Sequence, residues 1–136
     1  PDDLAGKKVC TVQGSTPAKT LQEKYPKAEL LLLDVYSACV TAMKDGRVEA
    51  VSTDNVILLG FAAADSSVKL VGGLFTVEPY GIGMKQGKKD MQAFVDGVLD
   101  RMFKDGTWDK LYNQYLGKFE GMPAAKTARE SLPPTN

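Results

Sequence analysis

The sequence predicts an α/β fold, a three-layer lobe on a mostly parallel sheet with further helices at its C-terminal end. Three observations carry this. Short β-prone runs alternate with helical stretches in the order strand, helix, strand, helix, strand, helix, strand, the pattern of a parallel sheet joined by right-handed crossovers. Glu29–Leu33 is apolar nearly throughout, as in a strand covered on both faces. Lys89–Phe103 repeats Met91, Phe94, Val95, Val98, Leu99 and Met102 at helical spacing, which marks an amphipathic helix.

Each element has its local reason. Lys8–Val12 is short and β-prone. Pro17–Tyr25 reads as a helix with Thr16 as N-cap and Pro17 in the first turn, where its missing N–H costs nothing; Pro26 stops it. Tyr36–Lys44 sets Cys39, Val40 and Met43 on one helical face, and Asp45-Gly46 ends it. Val48–Ser52 reads as a strand, Asn55–Ala64 as a helix capped by Asp54, and Val68–Val71 and Tyr80–Lys85 as two further strands. Gly81 and Gly83 weaken the last of these. Trp108–Leu116 is a final helix with Leu111, Tyr112 and Tyr115 on one side. From residue 119 to the end, three prolines and few large apolar residues predict a disordered tail, since such a segment buries too little surface to offset its ordering entropy.

Composition narrows the chemistry. The 136 residues are 43% hydrophobic and 25% charged, ordinary values for a globular chain. Seventeen basic residues balance seventeen acidic ones, so no polyanionic partner such as nucleic acid is indicated. Histidine is absent, which removes Ser–His–Asp and Cys–His catalysis and histidine-based metal sites. No cofactor and no metal are expected. No apolar run approaches the ~20 residues that span a bilayer. The start, Pro1-Asp2-Asp3-Leu4, has neither an initiator Met nor the pattern of a signal peptide, and reads as a mature product or a fragment.

Ligands on parallel sheets bind beyond the carboxyl ends of strands, where helices begin. Three turns qualify. Gln13-Gly14-Ser15-Thr16-Pro17 combines a glycine, two hydroxyls and a helix N-terminus, equipment for one small anionic group such as a carboxylate. It is too short for a P-loop and lacks the Gly-Lys-[ST] ending. Its plainer reading is a helix cap. In Ser52-Thr53-Asp54-Asn55, Asp54 can accept from an ammonium group with charge-assisted strength, or can simply cap a helix. The third turn, Asp34-Val35-Tyr36-Ser37-Ala38-Cys39, carries the weakest signal, with Ser37 readable as no more than a helix cap. If their strands are neighbours, the first two turns suit the two charges of a zwitterion.

At this point the chain resembles a known family. Leu4-Ala5-Gly6-Lys7-Lys8-Val9, Gln13-Gly14-Ser15-Thr16, Ala42–Val51 with Asp54, Glu78-Pro79-Tyr80-Gly81-Ile82-Gly83-Met84, and Asp105–Tyr112 with Leu116-Gly117 follow in the order seen in polar amino-acid solute-binding proteins of ABC importers. These are two-lobed proteins of the type II periplasmic-binding fold, and the glutamate-binding, actinobacterial-type members are the most similar. The resemblance implies that Ser15 and Thr16 touch the ligand α-carboxylate, that Asp54 holds its ammonium, and that Tyr80 lies near a hinge; Gln13 is placed to reach the ligand side chain. It implies a fragment lacking most of lobe 1: residues 1–78 as lobe 2, 79–118 as the segment returning to lobe 1. A strand that the family sets just before Leu4 is also missing. Tyr80–Lys85 is expected to take its place, within one chain or exchanged in a dimer.

Cys10 and Cys39 fit the same resemblance as a disulfide of an extracytoplasmic protein, closing a loop of about 30 residues; two reduced core cysteines are the alternative. The function implied is extracytoplasmic capture of glutamate or a similar polar amino acid, on a periplasmic or lipid-anchored protein, for an ABC permease. Alternatives on the same fold are a receptor's ligand-sensing domain and a cyclohexadienyl dehydratase-like enzyme, the latter disfavoured by the missing histidine and by the lack of a second carboxylate paired with Asp54.

Overall fold

The computed structural model describes residues 2–76, 80–119 and 122–125. The chain divides into two compact units, Pro1–Val77 and Glu78–Asn136.

The first unit opens with a single 3₁₀ turn, Asp2–Leu4, and then alternates β1 (Lys8–Val12), α1 (Thr16–Lys24), β2 (Glu29–Leu33), α2 (Tyr36–Lys44), β3 (Ala50–Val51) and α3 (Asn55–Ala64). The strands form one parallel sheet in the order β2-β1-β3. β1 and β2 pair along their full lengths, Lys8 opposite Glu29 through Val12 opposite Leu33. The central strand is the best buried, with Val9, Cys10 and Thr11 fully enclosed. Successive side chains on a strand point to opposite faces. Cys10 therefore joins Cys39, Ala42 and Val48 in one core cluster beneath α2, with Leu31, Leu33, Met43 and Val51 packed against it. Val9 and Thr11 face the other way, and α1 packs on β1 with Ala18 and Leu21 buried.

The Cys10–Cys39 disulfide is formed within that cluster, with a Cα–Cα distance of 5.4 Å. It ties the central strand to α2. Two carboxylates add links at the rim. Asp65 pairs with Lys44 and accepts from the Ser67 hydroxyl and N–H, and the Lys44 bond first, then those from Ser67, hold its carboxyl far below the usual range. Glu49 accepts from the Lys8 N–H, which chiefly lowers its pKa, with the nearby Lys7 charge adding to it. A carboxylate whose folded pKa is depressed contributes stability present above its unfolded pKa and lost as the pH falls towards the folded one. The thermal midpoint is therefore expected to be flat above pH ~5 and to fall progressively below pH ~4. Asp65→Asn should flatten part of that fall, as read by circular dichroism melts; an unchanged acid limb would mean that Asp65 takes no part in it.

The second unit holds α4 (Lys89–Lys104) and α5 (Thr107–Tyr115), which pack on each other. Gly106, with φ of 77°, makes the left-handed corner between them, a conformation that costs glycine least. Trp108 stacks on Tyr112 at 5.2 Å and packs against Phe103 at 5.8 Å. The Tyr112 hydroxyl donates to the Pro123 carbonyl at 2.8 Å.

Several expectations are corrected. Ser15, not Thr16, is the N-cap of α1. Val48–Ser52 forms a ladder only at Ala50–Val51, which pair with Val9 and Cys10 of β1. Val68–Val71 and Tyr80–Lys85 form no strands. Each is β-patterned, but a strand exists only where a neighbouring edge accepts its hydrogen bonds. The expected tail from 119 onward lies mostly outside the described residues.

Candidate functional site

Because all three strands run parallel, their carboxyl ends, at Val12, Leu33 and Val51, lie on one edge of the sheet. The turn after β1 therefore sits between the turns after β2 and β3. The two favoured turns, 13–16 and 52–55, follow strands that are direct neighbours. Backbone bonds fix both: the Gln13 N–H donates to the Leu33 carbonyl at 2.9 Å and the Ser52 N–H to the Cys10 carbonyl at 2.9 Å.

The first turn is built by two residues. Gly14 has a φ of 74°, where a side chain is strained. Ser15 is extended, and its hydroxyl both donates to the Val12 carbonyl at 2.7 Å and accepts from the Ala18 N–H at 3.2 Å. The Lys19 N–H goes to the Ser15 carbonyl, and Pro17 has none to offer. The cap thus absorbs Ser15 and leaves Thr16, exposed at the first helical position, with an N–H and a hydroxyl for an anion. Ser15 positions this turn, and would touch a ligand only by sharing bonds it already makes.

Asp54 stands at the N-cap position of α3 and makes no side-chain cap bond. Its carbonyl accepts from the Ile57 and Leu58 N–H groups. The residue is half-buried at the same sheet edge as Thr16. Beside it, the Thr53 hydroxyl is buried without a hydrogen-bond partner among the described residues. Sequence reasoning gave Thr53 no role, because burial is set by tertiary surroundings and not by any local pattern. Such a group costs about 1–3 kcal/mol until something satisfies it. In the third turn, Val35 occupies the N-cap position of α2 and Ser37 lies inside the helix, so that Ser37 is not a cap. Tyr80 lies in the second unit, exposed in a segment without regular structure.

Gln13, Gly14 and Thr16 are open to solvent, so the edge is a shelf carrying anion-binding groups on one side and a carboxylate on the other. Two concavities lie elsewhere in the first unit. One of ≈ 520 Å³ borders the amino ends of the strands, at Gly6, Lys8, Glu29 and Arg47. One of ≈ 350 Å³ runs beside β3. Neither includes Gln13, Ser15, Thr16 or Asp54. Among the described residues no group of His, Cys, Asp or Glu could hold a metal ion, and no helix is long and apolar enough to cross a membrane.

No family model matches the chain. Relatives do. The chain is 38% identical over 111 residues to the ABC transporter glutamine-binding protein GlnH of Bacillus subtilis, covering 82% of this chain and 41% of that protein. It is 36% identical over 116 residues to the glutamate-binding protein GluB of Corynebacterium glutamicum, covering 81% and 39%. Among solved structures, an ancestral arginine-binding protein bound to glutamine superposes with a TM-score of 0.78 at 35% identity, over 86% of this chain and 53% of that one. The chain spans about two fifths of the length of the curated relatives it matches.

Proposed function

We propose that the chain is part of an amino-acid solute-binding protein of an ABC transporter, the kind of protein it is similar to over the part of their length that it spans, and that its first unit supplies one side of an amino-acid-binding cleft outside the cytoplasm. The observation that carries the reading is the pairing of β1 with β3. It sets the Gly14–Thr16 turn and Asp54 side by side on one open edge. An α-carboxylate would sit at the start of α1, against Thr16, where the helix dipole favours negative charge. The α-ammonium would be held by Asp54, with the Thr53 hydroxyl as a further partner. Gln13 would reach the ligand side chain. Glutamate or a similar polar amino acid is the ligand class, and an ABC permease the partner that reads the closed form. Tyr80 would lie near the hinge.

A shelf with one wall cannot desolvate its ligand, so weak binding is expected. The test is a nuclear magnetic resonance titration of the full chain with L-glutamate, L-glutamine and L-arginine. Amide shifts should concentrate at Gly14, Thr16, Thr53 and Asp54. Asp54→Asn should weaken the apparent affinity about tenfold or more, the scale of a lost hydrogen bond to a charged group. Shifts scattered away from this edge would refute the site, and submicromolar binding would refute the one-walled cleft.

A further inference from the structure

The segment that leaves the first unit is held by an aromatic contact that neither the site nor the core cluster uses. Residues 72–76 form no helix or strand, and the first unit ends at Val77. Gly72 and Gly73 supply no side chain to fix this segment, and Leu74 is 69% exposed. Phe75 instead meets the Tyr25 ring edge to face, with centroids 5.8 Å apart and planes at 88°. This is a favoured geometry for an aromatic pair.

Tyr25 is the C-cap of α1. Its N–H donates to the Leu21 carbonyl at 2.9 Å, and its carbonyl accepts from the Ala28 N–H at 3.0 Å, so the backbone that carries the ring is fixed on both sides. α1 packs on β1 with Ala18 and Leu21 buried, while its last residues, Gln22-Glu23-Lys24, are exposed. The helix has nine residues and is about 14 Å long. It therefore has the Gly14–Thr16 turn at its start and the aromatic contact at its end.

We infer that Tyr25 and Phe75 form a clasp that ties the outgoing segment to α1 and so links that segment to the ligand turn. With Phe75 still 44% exposed, the pair is a reversible tie. It holds the segment without locking it. A ligand that loads the start of α1 shifts the helix, and the ring contact passes that shift to Phe75, because coupling between sites travels through contiguous packed groups. The linkage rests on the amino-acid-binding reading above; the clasp itself does not.

The experiment is nitrogen-15 relaxation of the full oxidised chain, followed by titration with L-glutamate. In the unaltered chain the amides of residues 74–76 should be as rigid as those of α1, with order parameters of about 0.85. Tyr25→Ala and Phe75→Ala should each lower them below about 0.6, the range of a flexible backbone, and leave the α1 amides unchanged. Tyr25→Phe, which keeps the ring, should stay rigid, as should Leu74→Ala. Mobile residues 74–76 in the unaltered chain, or rigid ones in both Tyr25→Ala and Phe75→Ala, overturn the clasp. In the titration the Phe75 and Thr76 amides should shift with the same midpoint as Thr16, and in Phe75→Ala the shift at Thr76 should vanish while that at Thr16 persists. Shifts at Thr16 with none at Phe75 overturn the linkage alone. No shift at Thr16 overturns the amino-acid-binding reading and the linkage with it, and the relaxation data still decide the clasp.

Discussion

Replacing Cys10 and Cys39 together by alanine is expected to lower the stability of the first unit by about 3–4 kcal/mol, the chain-entropy value for a loop of this size. The two cysteines are 29 residues apart in sequence, and the bridge denies the unfolded chain that much loop freedom. Both residues are fully buried at the centre of the core cluster, so each substitution also removes a packed sulfur. For a domain of this size 1 kcal/mol moves the thermal midpoint by about 4–8 °C, which makes the expected drop roughly 12–30 °C. Small domains hold only about 5–15 kcal/mol in total, so the reduced chain should be close to its threshold. Calorimetric melts of the double variant and of the oxidised chain, with and without a thiol reductant, measure this. A shift of a few degrees would mean that packing alone holds β1 against α2.

Leu21→Ala should come next, at about 3 kcal/mol, within the 2–5 kcal/mol span of buried leucine truncations. Leu21 is fully buried, and with Ala18 it is one of only two residues that α1 buries. The helix therefore rests on this one large side chain. Urea titration followed by circular dichroism gives the number. Val71→Ala, at a side chain 74% exposed, is the control and should stay within about 0.5 kcal/mol. If the two variants behave alike, α1 is not anchored through Leu21. The same truncation should broaden the resonances of Gly14 and Thr16, because the turn they form is the first turn of that helix.

How legible all this was in the sequence depends on the range of the forces involved. Lys8–Val12 and Glu29–Leu33 read correctly to the residue, but the apolar run of Glu29–Leu33 does not mark a strand covered on both faces: among the described residues β2 is an edge strand and none of its residues is fully buried, whereas β1 lies at the centre. α2 and α3 read to the residue and α1 to within one residue at each end, because Pro17, Pro26, Gly46 and Asp54 punctuate the chain locally. Val68–Val71 and Tyr80–Lys85 did not become strands, and no local pattern could have told this: whether a β-prone run pairs depends on an edge contributed from far along the chain. The adjacency of the two proposed turns was legible in outline, since parallel topology brings the turns after β1 and β3 together once the strand order is known. Two details were not. Ser15 spends its hydroxyl on Val12 and Ala18, a choice between cap and ligand that either serine or threonine could have made. The buried hydroxyl of Thr53 is set by its folded surroundings, which no local pattern records.

One feature bears on handling the molecule. α3, Asn-Val-Ile-Leu-Leu-Gly-Phe-Ala-Ala-Ala, is apolar around nearly its whole circumference, yet none of its residues is fully buried. A helix of that kind is ordinarily enclosed. The large side chains of α3 are half-buried, so part of their apolar area stays within reach of a holdase chaperone, a detergent micelle or an environment-sensitive fluorophore. Dye-reported melting curves would start from a bright baseline, and salts that drive proteins out of solution should act on this chain at unusually low concentration.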